Sequence, residues 1–270
     1  MLAQAMGVET DAAIGAVPFR QPDALVAFNS YLSRRVAREP LAYILGRREF
    51  WSLEFAVGPG VLVPRPETET LIEQAIKYFP DRYAALDVLD FGTGTGCLLA
   101  AFLSEYSNAR GTGIDSSPEA LGWARRNLAK HGLDNRCRLV GGDWAADLSG
   151  PADVILANPP YIRSGDFALL APEVGLYEPR AALDGGADGL EAYGSLAPQI
   201  GRLLKPASLA FLEIGAGQGE AVSAILAADG LQTLEIAVDL AGIGRCVVAG
   251  HKDRARARLE KTVGTTAQNR

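Results

Sequence analysis

The stretch Leu86–Ala100, LDVLDFGTGTGCLLA, decides the fold. An apolar run stops at Asp90 and Phe91, glycines alternate at 92, 94 and 96, and a second apolar run follows. That is a strand, a glycine loop and the start of a helix, the beginning of a βαβ unit. Working downstream, the alternation continues. RGTGID, CRLVGGD, ADVILAN, ASLAFLEIG, LQTLEIAVD and GRCVVAG read as strands. CLLAAFLSEY, PEALGWARRNLAKHG, LEAYGSLAPQIGRLL and QGEAVSAILAADG fill most gaps as helices. The pattern predicts an α/β fold with a seven-stranded, mostly parallel, doubly wound sheet. Only LAGI separates the last two strands, too short for a parallel crossover, so they should form a C-terminal antiparallel hairpin.

Upstream the pattern differs. PDALVAFNSYLSRRVARE has helical apolar spacing, and PLAYILG follows as a separate segment closed by Gly46. In REFWSLEFAVGPGVLVPR two β-rich runs flank Gly58-Pro59-Gly60, which suggests a hairpin turning there. PETETLIEQAIKYF is a helix with a proline near its first turn. The expected organisation is a small N-terminal helical domain at 1–46, a linking hairpin at 47–65 and a catalytic domain at 66–250. A basic tail, HKDRARARLEK onward, closes the chain at 251–270, as a solvated helix end or disorder.

Composition narrows the function. The 270 residues are 48% hydrophobic with a formal charge of -6. A protein that lives on a phosphate backbone is usually basic, so no specific nucleic-acid partner is expected. Cys97, Cys137 and Cys246 have no CxxC spacing, which suits a reducing cytoplasm and argues against a zinc site. His131, at a helix end, and His251, opening the tail, are the only histidines. Two scattered histidines leave little room for a triad or a His-ligated metal, and no metal is expected. No apolar run approaches membrane-span length.

The strand ends carry the candidate site. Gly92, Thr93, Gly94, Thr95 and Gly96 follow a GxGxG pattern, and Asp90 stands just before them. A tight βα turn would need such glycines too. The spacing is not the dinucleotide GxGxxG, and a nearby carboxylate suits a cationic cofactor better than a pyrophosphate. Asp115 ends the second strand, where an acid can accept from both ribose hydroxyls or cap the next helix. Asp143 and Trp144 end the third and suit an adenine amine and ring, although Trp144 also suits a core. Asn158-Pro159-Pro160-Tyr161 ends the fourth; two prolines stop the strand and stiffen its exit. An Asn-Pro turn alone would explain that much.

These four strand ends resemble the class I S-adenosylmethionine-dependent methyltransferases, in which NPPY accompanies methyl transfer to planar nitrogens. Such a nitrogen is a poor nucleophile and must be aimed. The Asn158 side-chain oxygen and the Pro159 carbonyl can each accept one of its N–H bonds, and Tyr161 can cover the planar group. Adenine, cytosine, guanine and protein glutamine all present such an NH₂. The blocks REFW…VLVPRPETE, NPPY, YEPRAALDGGADGL, LEIGAGQGEAV and DLAGIGRCVVAG narrow it. Together, over about Arg38 to Gly250, they resemble the PrmC/HemK family, which methylates the Gly-Gly-Gln glutamine of class 1 peptide chain release factors. A sister family acting on a ribosomal-protein glutamine comes second, and a nucleic-acid amino methyltransferase after it. A binding module without turnover would not need an intact NPPY.

The resemblance implies S-adenosylmethionine at Gly92–Gly96, Asp115, Trp144 and Asn158, and substrate at Asn158–Tyr161. It places Arg65 and Glu67 near the cofactor; a surface charge and a first-turn helix acid are their simpler readings. Phe50 and Trp51 suit hairpin core. The family's N-terminal helical bundle is longer than residues 1–46, so a reduced docking domain is expected.

Overall fold

A computed structural model describes residues 1, 22–144, 148 and 150–252. Residues 2–21 of the expected N-terminal domain and 253–270 of the expected tail lie outside the described residues. In chain order the elements are α1 (Pro22–Val36), α2 (Leu41–Leu45), β1 (Arg47–Phe50), β2 (Leu53–Ala56), α3 (Glu69–Tyr78), β3 (Asp87–Phe91), α4 (Cys97–Glu105), β4 (Arg110–Asp115), α5 (Pro118–Lys130), β5 (Cys137–Gly141) and β6 (Ala152–Ala157). There follow α6 (Pro172–Gly175), α7 (Glu191–Leu203), β7 (Leu204–Glu213), α8 (Gly219–Ala228), β8 (Leu231–Val238) and β9 (Gly244–His251). Among the described residues no helix is long and apolar enough to cross a membrane.

Seven strands form one sheet in the order β5-β4-β3-β6-β7-β9-β8. β3 to β7 pair in parallel, and β9 runs antiparallel to both its neighbours. The expected doubly wound sheet and its C-terminal hairpin are both present. Period-two alternation shows why both faces are covered. Val154 and Leu156 of β6 pack into a core with α3, α4 and α5, while Ile155 and Ala157 pack into a second core with α7 and α8. β4 is glycine-rich for a steric reason: a Cβ at Gly111 would stand 2.4 Å from Leu99, and one at Gly113 would stand 2.8 Å from Thr93 Oγ1. Without those glycines neither α4 nor its leading loop could lie so close to the sheet.

The hairpin turns elsewhere than the sequence suggested. β1 and β2 pair from Arg47↔Ala56 to Phe50↔Leu53, so the turn is Trp51-Ser52. Both residues have positive φ, 52° and 56°, the handedness that two-residue hairpin turns require. The Trp51 backbone N–H donates to Glu69 and its indole N–H to Glu105, both at 2.7 Å, which holds a bulky residue in that conformation. Gly58-Pro59-Gly60 serves close packing instead. A Cβ at Gly58 would stand 2.7 Å from the Trp123 ring of α5, and Trp123 Nε1 donates to the Pro59 carbonyl at 3.2 Å. His251 also differs from expectation: it ends β9, opposite Leu231, rather than opening the tail.

Candidate active site

Register aligns the predicted strand ends. Phe91 pairs with Ile114 on one side and Ala157 on the other, and Asp115 pairs with Gly141. The next residues, Gly92, Gly142 and Asn158, therefore emerge beside Asp115 at one edge. That edge is the topological switch point, where β4 and β6 leave β3 in opposite directions and ligands bind in such sheets. A cavity of about 210 Å³ opens there. Its walls include Gly92–Thr95, Asp115, Asp143, Trp144, Asn158, Pro160 and Arg65.

The cofactor side is built from backbone. Gly92, Gly94 and Gly96 all have positive φ, between 55° and 78°, which residues with a Cβ adopt only at a cost. The Gly94 N–H donates to Asp115 Oδ2 and the Ser117 N–H to Oδ1, both at 2.9 Å. Ser117 caps α5 through its own hydroxyl, so Asp115 is not needed as that helix's cap. Asp90 lies fully buried beneath the loop and does not line the cavity. Burial pushes its carboxyl up to about 7, with the Asp115 charge adding to the rise and the Thr93 hydroxyl, 2.6 Å away, opposing it. Asp90 Oδ1 and Thr95 Oγ1 are buried without a hydrogen-bond partner. A buried carboxyl held near neutrality, with an unpaired oxygen, fits a ligand that brings positive charge. Trp144 is half-buried against the core and Asp143 is exposed on the rim, so a flat ring and a polar edge would meet both.

The substrate side is built from side chains far apart in sequence. Asn158 Nδ2 donates to Thr68 Oγ1 at 3.2 Å, and Asn158 Oδ1 accepts no hydrogen bond among the described residues. Tyr161 turns away from the cavity: its ring packs on Gly215 and its hydroxyl donates to Glu213 Oε1 at 3.2 Å. Gln218 ties Tyr161 in place by donating to the carbonyls of Tyr161 and Gly189, at 3.1 and 3.2 Å. Pro159 is buried and does not line the cavity, whereas Pro160 does. Arg65 reaches the wall, held by Glu178 at 2.6 Å. Glu178 also accepts from the Val63 N–H, at 3.2 Å. Glu67 is exposed and does not line this cavity, although its charge acts on Glu213. Asn127 of α5 ties the glycine loop to the hairpin: it accepts from the Ala56 N–H and donates to the Ala56 and Thr95 carbonyls.

Thr68, Asn127, Glu178, Glu213 and Gln218 received no role from the sequence. Four of them stand inside the RPETE, YEPRAALDGGADGL and LEIGAGQGEAV blocks that carried the resemblance, and that placement was the available signal. Asn127 had none beyond being polar on a helix.

The sheet order and the strand-end edge define a class I methyltransferase, and a Methyltransferase small domain family model matches residues 68–173. A methyltransferase structure from Pyrococcus furiosus is 19% identical, covers 82% of this chain and 98% of its own, and superposes with a TM-score of 0.55, which speaks for the fold alone. Sequence relatives are more specific. The release factor glutamine methyltransferase of Caulobacter vibrioides is 44% identical over 92% of this chain and 86% of its own length. That of Rhodospirillum rubrum is 45% identical over 84% and 70%. The chain belongs to the release factor glutamine methyltransferase family.

Proposed function

We propose that this protein methylates the side-chain amide nitrogen of the glutamine in the Gly-Gly-Gln motif of class 1 peptide chain release factors. The observation that carries the reading is the Asn158 carboxamide at the cavity wall: its nitrogen is engaged by Thr68, and no described residue donates to its oxygen. An amide nitrogen offers two N–H donors and a delocalised lone pair. Asn158 Oδ1 takes one of these hydrogens, which turns the lone pair toward the cofactor side. The same acceptor favours the positive charge that develops on nitrogen. The two prolines hold the exit of β6 stiff, so Asn158 needs little reorganisation; Pro159, buried behind the cavity wall, offers its carbonyl to the substrate less directly than the sequence suggested. No histidine or other base is needed, because a methylated amide nitrogen is strongly acidic and gives its proton to solvent.

S-adenosylmethionine, when bound, supplies the electrophilic methyl group and leaves as S-adenosylhomocysteine. Gly92–Gly96 would hold it by backbone contact, Asp115 by the ribose hydroxyls, and Asp143 with Trp144 by the adenine. Asp90 would answer its positive charge from below. Arg65 at the cavity wall would shape the substrate's entry, while Tyr161, turned away onto Glu213, would hold the loop after Asn158 in place.

The helical segment within 1–46 would supply docking surface. Arg35 of α1 and Arg38, two residues past its end, both pair with Glu173 of α6, at 2.6 and 2.7 Å, which sets the end of α1 beside the segment that follows NPPY. The three free cysteines and the negative charge suit a cytoplasmic protein that avoids nucleic acid.

The test offers labelled cofactor with intact release factor, a free Gly-Gly-Gln peptide, DNA and RNA, and maps the methyl group by mass spectrometry. The label should enter the glutamine of the intact factor well and the peptide poorly. Label on nucleic acid, with none on the glutamine, would overturn the reading.

A further inference from the structure

Behind Asn158 stands a chain of polar side chains that no strand-end motif explains. Thr68, 2% exposed, comes from the RPETE turn, and its Oγ1 accepts from Asn158 Nδ2 at 3.2 Å. Glu213, 1% exposed, ends β7 close enough to Thr68 for that hydroxyl to favour its ionised form. Glu213 Oε1 accepts from Tyr161, while Oε2 is buried with no close hydrogen-bond partner. A hydroxyl has one proton to give. If Thr68 gives it to an ionised carboxylate, which can only accept, the Thr68 oxygen must accept from the other side. Only the nitrogen of the Asn158 carboxamide can donate there, so its oxygen is turned outward.

We propose that Thr68 and Glu213 are positioning residues that fix which way round the Asn158 carboxamide stands, with its oxygen toward the substrate amide. The inference rests on the reading under Proposed function for its consequence and on the geometry above for its mechanism. A reversed carboxamide would set an NH₂ against the substrate's NH₂, donor against donor, and the transition state would lose an acceptor.

The relay needs Glu213 ionised. Burial pushes its carboxyl up to about 7, opposed by Thr68, Arg245 of β9 and Tyr161, and reinforced by Glu67. Tyr193 of α7 and Cys246 of β9 also face it. Once protonated, the carboxyl can itself donate, and Thr68 is free to turn. Turnover at saturating substrates should therefore rise with pH through about 7.

The test uses the full chain with the changes Thr68→Val, Thr68→Ser and Glu213→Gln. Thr68→Val and Glu213→Gln should lower kcat roughly tenfold and leave KM for S-adenosylmethionine within about twofold. Thr68→Ser, which keeps the hydroxyl, should recover most of that loss. Glu213→Gln should also flatten the rise of kcat between about pH 6 and about pH 8. A substrate-independent measurement accompanies these: hydrogen exchange of the Asn158 side-chain amide by nuclear magnetic resonance. One hydrogen should be protected in the wild type and Thr68→Ser, and free in Thr68→Val.

Wild-type kcat in Thr68→Val, an unchanged pH profile in Glu213→Gln, or equal amide exchange in wild type and Thr68→Val would overturn the relay. If no release factor is methylated but the exchange pattern holds, the proposed substrate fails and the relay stands.

Discussion

The two halves of the cavity are held by different means. On the cofactor side, Thr93 reaches Asp90 across 3 positions in sequence, Ser117 reaches Asp115 across 2, and Gly94 reaches Asp115 across 21. On the substrate side, Asn158 reaches Thr68 across 90 positions, Arg65 reaches Glu178 across 113, and Tyr161 reaches Glu213 across 52. The first half is a run of consecutive strand ends whose geometry comes with the strand–loop–helix units. The second is assembled only when the front segment Val63–Thr68 folds onto the loops after β6 and β7. A local motif can therefore specify cofactor binding, whereas aiming the substrate depends on the whole fold.

If the halves are separable, damage to each should appear in a different kinetic constant. The largest effect should come from Asn158→Ala. It removes an acceptor that strengthens as charge grows on nitrogen, so kcat should fall by ~10² or more with a smaller change in cofactor affinity. Near-normal turnover at saturating substrates would show that the carboxamide is not the cradle. Asp115→Ala should do the opposite. Two charge-assisted bonds to the ribose are worth roughly 1.5–3 kcal/mol each, so the cofactor Kd should rise more than tenfold, with less effect on bound-state chemistry. Because Asp115 also anchors the Gly94 N–H, part of that loss would come through the loop. An unchanged Kd by calorimetry would remove the ribose assignment.

The same division decides what could be read from the sequence. All seven sheet strands and the glycine loop were readable, because each rests on hydrophobic period and punctuation within a short window. The hairpin turn was misplaced because Gly-Pro-Gly is the stronger turn signal. Trp51-Ser52 holds its left-handed backbone through Glu69 and Glu105, partners outside any local window. Asn158 was identified, but not Thr68 behind it, since nothing in RPETE announces a contact with NPPY. Tyr161 was expected over the substrate and lies instead against Glu213, a neighbour made by the β6–β7 pairing and a loop beyond it.

Glu178→Ala probes the long-range half without touching substrate. It strips the Val63 N–H and the partly exposed Arg65 of a buried acceptor, so unfolding free energy should drop by about 2 kcal/mol. Denaturant titration measures it, and Glu178→Gln, which can still accept once, should lose less. A Glu178→Ala protein as stable as the wild type would mean that the front segment is held by packing alone.

The smallest effect on binding concerns Asp90, and it runs opposite to that residue's effect on stability. Its carboxyl is raised from 3.8 to about 7 in the fold, chiefly by burial. A carboxyl raised on folding contributes stability that is fully present below 3.8 and lost as pH rises through about 7. Comparison with Asp90→Asn, which cannot ionise, isolates that contribution: the wild type should lose stability relative to the variant across this window. Binding of S-adenosylmethionine should improve over the same window, because its positive charge favours the ionised Asp90. Between about pH 6 and about pH 8 the gain should be a few-fold, of order 1 kcal/mol, and absent in Asp90→Asn. Calorimetry at the two pH values, with denaturant melts of the ligand-free proteins, measures both slopes. If wild type and variant share the same pH dependence of affinity, Asp90 answers no charge on the cofactor and its acidity serves only the loop beneath which it is buried.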